Sequence, residues 1–171
     1  MLICITQFVD LGISPPAALI PVGNYNGLNW SSFLLVTPTP NGLVIKPQPS
    51  NPNLAGYGLY DQILAGGNKL TPLKSGATFD LQSFYFACVL TTAETAISTP
   101  QTCTVTATGY SGSKVVGTQK FNFKPTGALT TKMQFEKVGL WGEGLTQVKF
   151  STANNALIAT LFDDVQYTLY N

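Results

Sequence analysis

The chain has 171 residues, with 10 Phe, 7 Tyr and 2 Trp, but only nine Lys and eight Asp or Glu, no Arg, no His and a net charge of +1. Without histidine, Ser-His-Asp and Cys-His nucleophile systems and His-ligated metal sites are excluded. Without arginine or a basic stripe, nucleic-acid binding has little physical support.

The length fits a single domain, residues 1–171, which buries about two-thirds of its unfolded surface. No run of about 18 apolar residues occurs, so we expect no membrane insertion. Residues 1–6 lack the basic start and cleavage site of a secretory signal. The low charge and the many hydroxyl side chains are nevertheless typical of proteins outside cells, so we expect a secreted protein, at a cell surface or wall.

Turn signals rich in Gly, Pro and Asn recur every 8 to 15 residues along the chain. The segments between them are rich in Val, Ile, Thr, Phe and Tyr, which predicts strands. In chain order the predicted strands are 2–9, 28–37, 42–46, 54–60, 69–73, 78–90, 102–110, 113–123, 129–136, 145–151 and 156–170.

Alternation within these segments predicts which side chains form the core. In the segment 104–110, Thr alternates with Val105, Ala107 and Gly109, so one face is polar and the other apolar. No amphipathic helical pattern competes. We therefore predict an all-β antiparallel sandwich, a jelly roll of about ten strands without substantial helix, with the proline-rich segment 38–53 as a surface excursion.

Five short segments in order resemble a secreted jelly-roll domain of fungal extracellular and bacterial surface-associated proteins, related to carbohydrate-binding modules. They are 5–11 (ITQFVDL), 24–33 (NYNGLNWSSF), 79–86 (FDLQSFYF), 105–113 (VTATGYSGS) and 162–167 (FDDVQY). The opening acidic pair of that group is reduced here to Asp10. The resemblance implies the fold, an extracellular location and a tendency toward glycan binding.

Three cysteines are present, Cys4, Cys88 and Cys103. If Cys88 and Cys103 lie on consecutive antiparallel strands, a disulfide at the mouth of the long loop between them is geometrically easy. The alternative is two buried thiols. Cys4 is interpreted as a small apolar residue of the first strand.

Asp163 and Asp164 are adjacent acids in an otherwise apolar strand, so one of them faces the core unless the strand bulges or ends there. A buried carboxylate needs a partner, and the chain has no Arg or His to supply one. The first and last strands of a jelly roll are often neighbours, so Asp10 can complete a calcium site of oxygen ligands. The resemblance points the same way, since related modules carry a structural calcium there. Alternatively, one Asp is solvated and the other accepts hydrogen bonds from loop amides.

Flat aromatic side chains stack on sugar rings, and low charge does not obstruct a neutral glycan. Trp141 lies in a segment bracketed by glycines, and Glu143 is close to it in sequence. We interpret Trp141 as either a ligand contact or a loop anchor. Trp30 is interpreted mainly as core or rim packing. Tyr57, Tyr60 and Asp61 form a second aromatic and polar cluster, and Asn29 begins the sequon Asn-Trp-Ser, a candidate glycosylation site.

These patterns predict a non-enzymatic extracellular module that binds a polysaccharide or other glycan by aromatic stacking, with structural calcium. The first alternative is an extracellular or cell-wall protein that self-associates through strand edges without a small ligand. The second alternative is a carboxylate-based glycan hydrolase. The acids are formally sufficient for hydrolysis, but the sequence pairs none of them.

Overall fold

A computed structural model describes residues 2–6, 20–36, 45–46, 54–58, 67–90, 99–127, 131–153 and 158–171. Within these ranges the chain forms strands and one short 3-10 turn, Leu140–Gly142. The strands are β1 (Leu2–Thr6), β2 (Ile20–Tyr25), β3 (Leu28–Val36), β4 (Ile45–Lys46), β5 (Leu54–Tyr57), β6 (Asn68–Pro72), β7 (Thr78–Leu90), β8 (Cys103–Ser111), β9 (Lys114–Phe123), β10 (Thr131–Lys132), β11 (Gln134–Lys137), β12 (Gln147–Ala153) and β13 (Ile158–Tyr170).

The all-β antiparallel prediction is confirmed. Eleven strands form one nearly closed antiparallel sheet, in the order β11-β7-β13-β5-β3-β6-β12-β8-β9, with β1 paired to β13 and β2 paired to β3. The small strands β4 and β10 pair with each other in parallel. The described residues contain no helix that is long and apolar enough to cross a membrane.

The two faces of the sandwich belong to one sheet that folds back on itself. Phe84 of β7 lies near one end of the strand order, yet its ring is 4.9 Å from that of Phe121 in β9 and 5.9 Å from that of Phe150 in β12. Phe162 of β13 packs into the same group, 5.3 Å from Phe84. Most of these ring pairs meet edge to face, the favoured geometry for aromatic contacts, and they form the centre of the core.

The sequence did not predict β2. Pro21 and Gly23 weaken its strand pattern, and its pairing with β3 shifts register between them. The Asn-Gly pair that follows, one of the turn signals in the sequence, forms a turn: Asn26 and Gly27 have φ of 47° and 81° and join β2 to β3 as a two-residue hairpin.

Two strands change neighbours part-way along their length. β3 pairs with β6 through Ser31 and with β5 from Leu34 onward. β13 pairs with β5 through Phe162 and with β1 from Val165 onward. First and last strands are therefore neighbours, as the sequence predicts.

The Cys88–Cys103 disulfide is confirmed, with the two Cα atoms 6.2 Å apart. The two strands that it joins, β7 and β8, are consecutive along the chain, as expected, but they are not hydrogen-bonded neighbours in the sheet. Instead, the segment before β8 returns to the end of β7, where Pro100 pairs with Val89. Cys4 is a free cysteine of intermediate exposure on β1. Of the predicted excursion 38–53, only Ile45–Lys46 lies within the described residues.

Candidate functional site

Residues 139–146 form a turn that is held between β7 and β8. The amide of Phe79 donates to the Leu145 carbonyl and the amide of Leu145 donates to the Phe79 carbonyl, at 2.9 and 2.8 Å. On the other side, the Thr146 amide donates to the carbonyl of Tyr110 at 2.9 Å. Gly142 sits so close to β7 that a Cβ there would lie 2.5 Å from the Leu81 carbonyl oxygen, so no larger residue fits.

Trp141 anchors this turn. Its ring lies over Gly109 and Gly117, which face each other across the β8–β9 pair. A Cβ on these glycines would come within 2.7 and 2.3 Å of the tryptophan. The indole Nε1–H donates to Gln119 Oε1 at 2.9 Å, and the side chain is half-buried against the core. One face of the Trp141 ring and its N–H therefore anchor the turn, in agreement with the loop-anchor interpretation. Only the rest of the ring is open to a ligand.

Glu143 is exposed, and the fold brings it near Asp80 and Tyr170. The Tyr170 hydroxyl donates to Asp80 Oδ2 at 2.6 Å, and the Gly144 amide donates to Asp80 Oδ1 at 2.7 Å. The hydrogen bond to Asp80 is the main cause that raises the pKa of Tyr170, and the Asp80 and Glu143 charges add to it. We call Asp80, Glu143 and Tyr170 the Tyr170 cluster.

Sequence reasoning missed two members of this cluster, Asp80 and Tyr170. Their contact depends on the pairing of β7 with β13, in which Thr168 lies opposite Asp80. The available signal was a single acidic residue, Asp80, in a strand that is otherwise rich in Phe and Leu.

The Tyr170 cluster lies at one end of the sandwich, which we call the loop end: the turns 26–27, 73–77, 111–113 and 139–146. These turns are tied together by hydrogen bonds, including Leu73 N to Gly27 O at 3.0 Å and Gly112 N to Thr146 Oγ1 at 2.8 Å. Leu140 at this end is 87% exposed and Tyr170 is 38% exposed. The loop end thus presents apolar and aromatic surface beside carboxylates.

Tyr57 lies elsewhere. Its side chain is 2% exposed and packs in the core, with its ring 5.5 Å from Phe33 and 5.8 Å from Phe162. Its hydroxyl accepts a hydrogen bond from Thr152 Oγ1 at 3.1 Å, and burial raises its pKa. This burial corrects the prediction that Tyr57 contributes a ligand surface. Tyr60 and Asp61, its predicted neighbours in that surface, lie outside the described residues.

Trp30 is 1% exposed in the core, in agreement with its interpretation as packing. Asn29 beside it has intermediate exposure, and its Nδ2 donates to Asn24 Oδ1 at 2.7 Å. Glycosylation at Asn29 stays a prediction.

Asp163 and Asp164 lie where β13 changes neighbours. They are 0% and 7% exposed, the Asp164 amide donates to Asp163 Oδ1 at 2.9 Å, and Asp164 has a φ of 44°. The strand bulges there, so both carboxylates are buried rather than one. β1 runs alongside, with Thr6 opposite Val165, while Asp10 lies outside the described residues. Among the residues described, no group of three or more His, Cys, Asp or Glu side chains could hold a metal ion.

A groove of about 380 Å³ lies near the disulfide. Its described lining consists of Thr, Pro and Gly residues and Lys124, without an aromatic or acidic side chain. It therefore lacks the stacking surface that the loop end provides.

No family model matches the chain, and no curated protein matches it. A crystal structure of a DUF4465 family protein from Bacteroides caccae is similar, with a TM-score of 0.62 over 98% of this chain and 99% of that one, at 12% identity. At this identity the similarity shows the fold alone. It does not confirm a jelly-roll domain of the carbohydrate-binding kind.

Proposed function

We propose that this protein is an extracellular binding module that recognises carbohydrate at its loop end. The observation that carries the proposal is Tyr170, an exposed aromatic ring whose hydroxyl is fixed by Asp80 beside the exposed Glu143. An aromatic face next to carboxylate acceptors is the combination that suits a sugar, because its C–H face is apolar and its hydroxyls are donors.

In this proposal the sugar ring stacks on Tyr170, and its hydroxyls donate to Glu143 and to the remaining acceptor positions of Asp80. Leu140 and the open part of Trp141 extend the apolar surface along the same turn. The disulfide supports the extracellular part of the proposal, since such bonds persist in oxidising compartments.

Retention on a panel of insoluble polysaccharides tests the proposal. We expect Tyr170→Ala and Glu143→Gln each to weaken retention about tenfold, the loss of one contact of about 1.4 kcal/mol. Phe135→Ala is the matched control, because Phe135 is an exposed aromatic on β11, opposite Tyr85 and away from the cluster. Trp141→Ala is less suitable, since Trp141 also supports the fold. The proposal would be overturned if Tyr170→Ala and the parent protein were retained equally, or if the parent protein were retained on no polysaccharide.

We also propose that calcium stabilises the bulge of β13 through Asp163, Asp164 and Asp10. The burial of two adjacent carboxylates beside the end of β1 supports this site. Thermal unfolding with added calcium and with a chelator tests it. We expect a higher melting temperature with calcium and loss of that difference in Asp164→Asn. The same melting temperature in both conditions would remove the site.

Self-association is the second candidate function, favoured by strand β9. This ten-residue strand ends the strand order, pairs only with β8 within the described residues, and exposes Val115 and Val116. An unpaired strand edge is a template for a second chain. Sedimentation of the parent and of Val116→Lys tests it: self-association predicts oligomers that the lysine disrupts, and monomers at all concentrations contradict it.

The hydrolase alternative gains two candidate acids at the loop end, Asp80 and Glu143. The prediction that the chain is not an enzyme is tested by searching for released sugars in the retention assay. Products that disappear in Glu143→Gln would replace the binding proposal with hydrolysis.

A further inference from the structure

The point where β3 changes neighbours holds a strained serine. β3 pairs with β6 up to Ser31, opposite Lys69, and leaves it at Ser32. Ser32 has a φ of 66°, in the left-handed region that residues other than glycine seldom adopt. Such strain persists only where the surroundings fix it, so an observed outlier is a reason to look for a role.

Two buried polar side chains flank the last pair of this ladder, Ser31 and Lys69. Ser32 follows Ser31 in β3, and Asn68, the first residue of β6, precedes Lys69. Asn68 is 0% exposed, and neither its amide oxygen and nitrogen nor the buried Ser32 hydroxyl has a hydrogen-bond partner in the described part of the chain. Asn68 also lies opposite Phe150 of β12, so its surroundings include the aromatic core.

Buried amides and hydroxyls in folded proteins are almost always hydrogen-bonded, to protein groups or to internal water. The Asn68 amide offers two donors and one acceptor, and the Ser32 hydroxyl offers one donor and further acceptor capacity. Both side chains are uncharged, which matches a neutral ligand that donates and accepts. A cation would lack a compensating charge from either of these two groups.

We propose an internal hydration site between β3 and β6, in which one water molecule bridges the Asn68 amide and the Ser32 hydroxyl. The water accepts from Asn68 Nδ2 and donates to Ser32 Oγ, and so holds the bulge at which β3 passes from β6 to β5. This role explains a serine at a φ that glycine would adopt without strain.

A crystal structure of the whole chain, at a resolution that shows ordered water, tests the site directly. We expect one water within hydrogen-bond distance of both Ser32 Oγ and Asn68. A direct Ser32–Asn68 hydrogen bond, or protein partners for both groups, would overturn the proposal. This measurement needs no variant and so does not depend on any variant folding.

Thermal unfolding of Asn68→Ala, Ser32→Gly and the double variant gives an independent test. We expect Asn68→Ala to lower the melting temperature by about 3 to 6 °C. In the Ser32→Gly background the same change should have less than half that effect, because the shared water is already lost. Ser31→Ala, the neighbouring serine, is the matched control and should leave the effect of Asn68→Ala unchanged. Additive effects of Asn68→Ala and Ser32→Gly would contradict a shared water.

Discussion

Asp80 illustrates what a single residue gains from the fold. In the sequence it is one acid in a strand of Phe and Leu, and in the structure it accepts from the Tyr170 hydroxyl and the Gly144 amide. Both partners are more than 60 residues away in the chain, so no local pattern could reveal them. Glu143 could be proposed from the sequence because it is close to Trp141 in the same turn.

The hydrogen bond from Tyr170 to Asp80 can be tested by measuring the pKa of Tyr170. This bond is the largest cause of the raised pKa of Tyr170, so we expect Asp80→Asn to lower that pKa toward the ordinary value of about 10. Glu143→Gln should lower it by a smaller amount, because Glu143 acts through its charge alone. Ultraviolet titration of the tyrosines measures both shifts. A larger shift in Glu143→Gln would contradict the hydrogen-bond geometry.

Tyr57 should make stability depend on alkaline pH. Burial raises the pKa of Tyr57 in the folded protein above that in the unfolded chain, about 10. Above about pH 10 the unfolded chain loses this proton while the folded protein keeps it, so stability falls as pH rises, by up to about 1.4 kcal/mol per pH unit. Below about pH 10, Tyr57 does not contribute to the pH dependence of stability.

Tyr57→Phe tests this dependence by urea unfolding between pH 9 and 11. We expect it to lose about 1 kcal/mol at neutral pH, through the hydrogen bond from Thr152, and to show a shallower alkaline decline. Thr152→Val is the control, because it removes the hydrogen bond and keeps the phenol, so the steep decline should persist. Parallel pH profiles for the parent and Tyr57→Phe would contradict the assignment.

At the scale of the element, strands were predictable where alternation or long apolar runs were strong. The predicted ranges 28–37, 78–90 and 113–123 agree closely with β3, β7 and β9. β2 was not predicted because Pro21 and Gly23 interrupt its pattern, and it exists because β3 supplies its hydrogen bonds. The bulge at Ser32 was beyond local reasoning, since it occurs where β3 exchanges one neighbour for another. The adjacent acids Asp163 and Asp164 allowed for a bulge in β13, but not for the exchange of neighbours that occurs there.

The disulfide links two strands that are not hydrogen-bonded neighbours, so its loss should lower the stability of the whole sheet. Closing a loop of 15 residues corresponds to about 3 kcal/mol in the chain-entropy model. We expect the double variant Cys88→Ala with Cys103→Ala to lose about that free energy of unfolding in urea. Cys4→Ala is the control and should retain most of the stability, and a double variant as stable as the parent would contradict the structural role of the bridge.

At the scale of the whole molecule, the sequence predicted the class of fold and left the order of strands open. Composition and alternation show that one face of each strand is buried, but not which strands meet. The order depends on pairings such as β1 with β13, which join opposite ends of the chain. For the same reason the predicted sandwich is, in detail, one sheet folded back on itself.

Gln119 helps to close this sheet between its two end strands, β9 and β11. Its Nε2 donates to the Lys137 carbonyl at 3.2 Å, and its Oε1 accepts from the Gly139 amide at 3.0 Å and from Trp141 Nε1 at 2.9 Å. Because one side chain supplies all three bonds, we expect Gln119→Ala to cost about 2 to 3 kcal/mol and to release the Trp141 turn.

Hydrogen exchange followed by nuclear magnetic resonance measures this closure at the groups involved. The Gly139 amide and the Trp141 indole N–H should exchange faster in Gln119→Ala. Gln119→Glu should protect them better than alanine does, since a carboxylate still accepts both bonds and loses only the donor to Lys137. Asn122→Ala, which removes an exposed hydrogen bond that Asn122 Oδ1 accepts from the Thr104 hydroxyl on the same strand pair, is the control. Unchanged exchange in Gln119→Ala would contradict a role of Gln119 in this closure and would assign it to the other contacts across the sheet, which include the aromatic contacts between β7 and β9 and the Cys88–Cys103 disulfide.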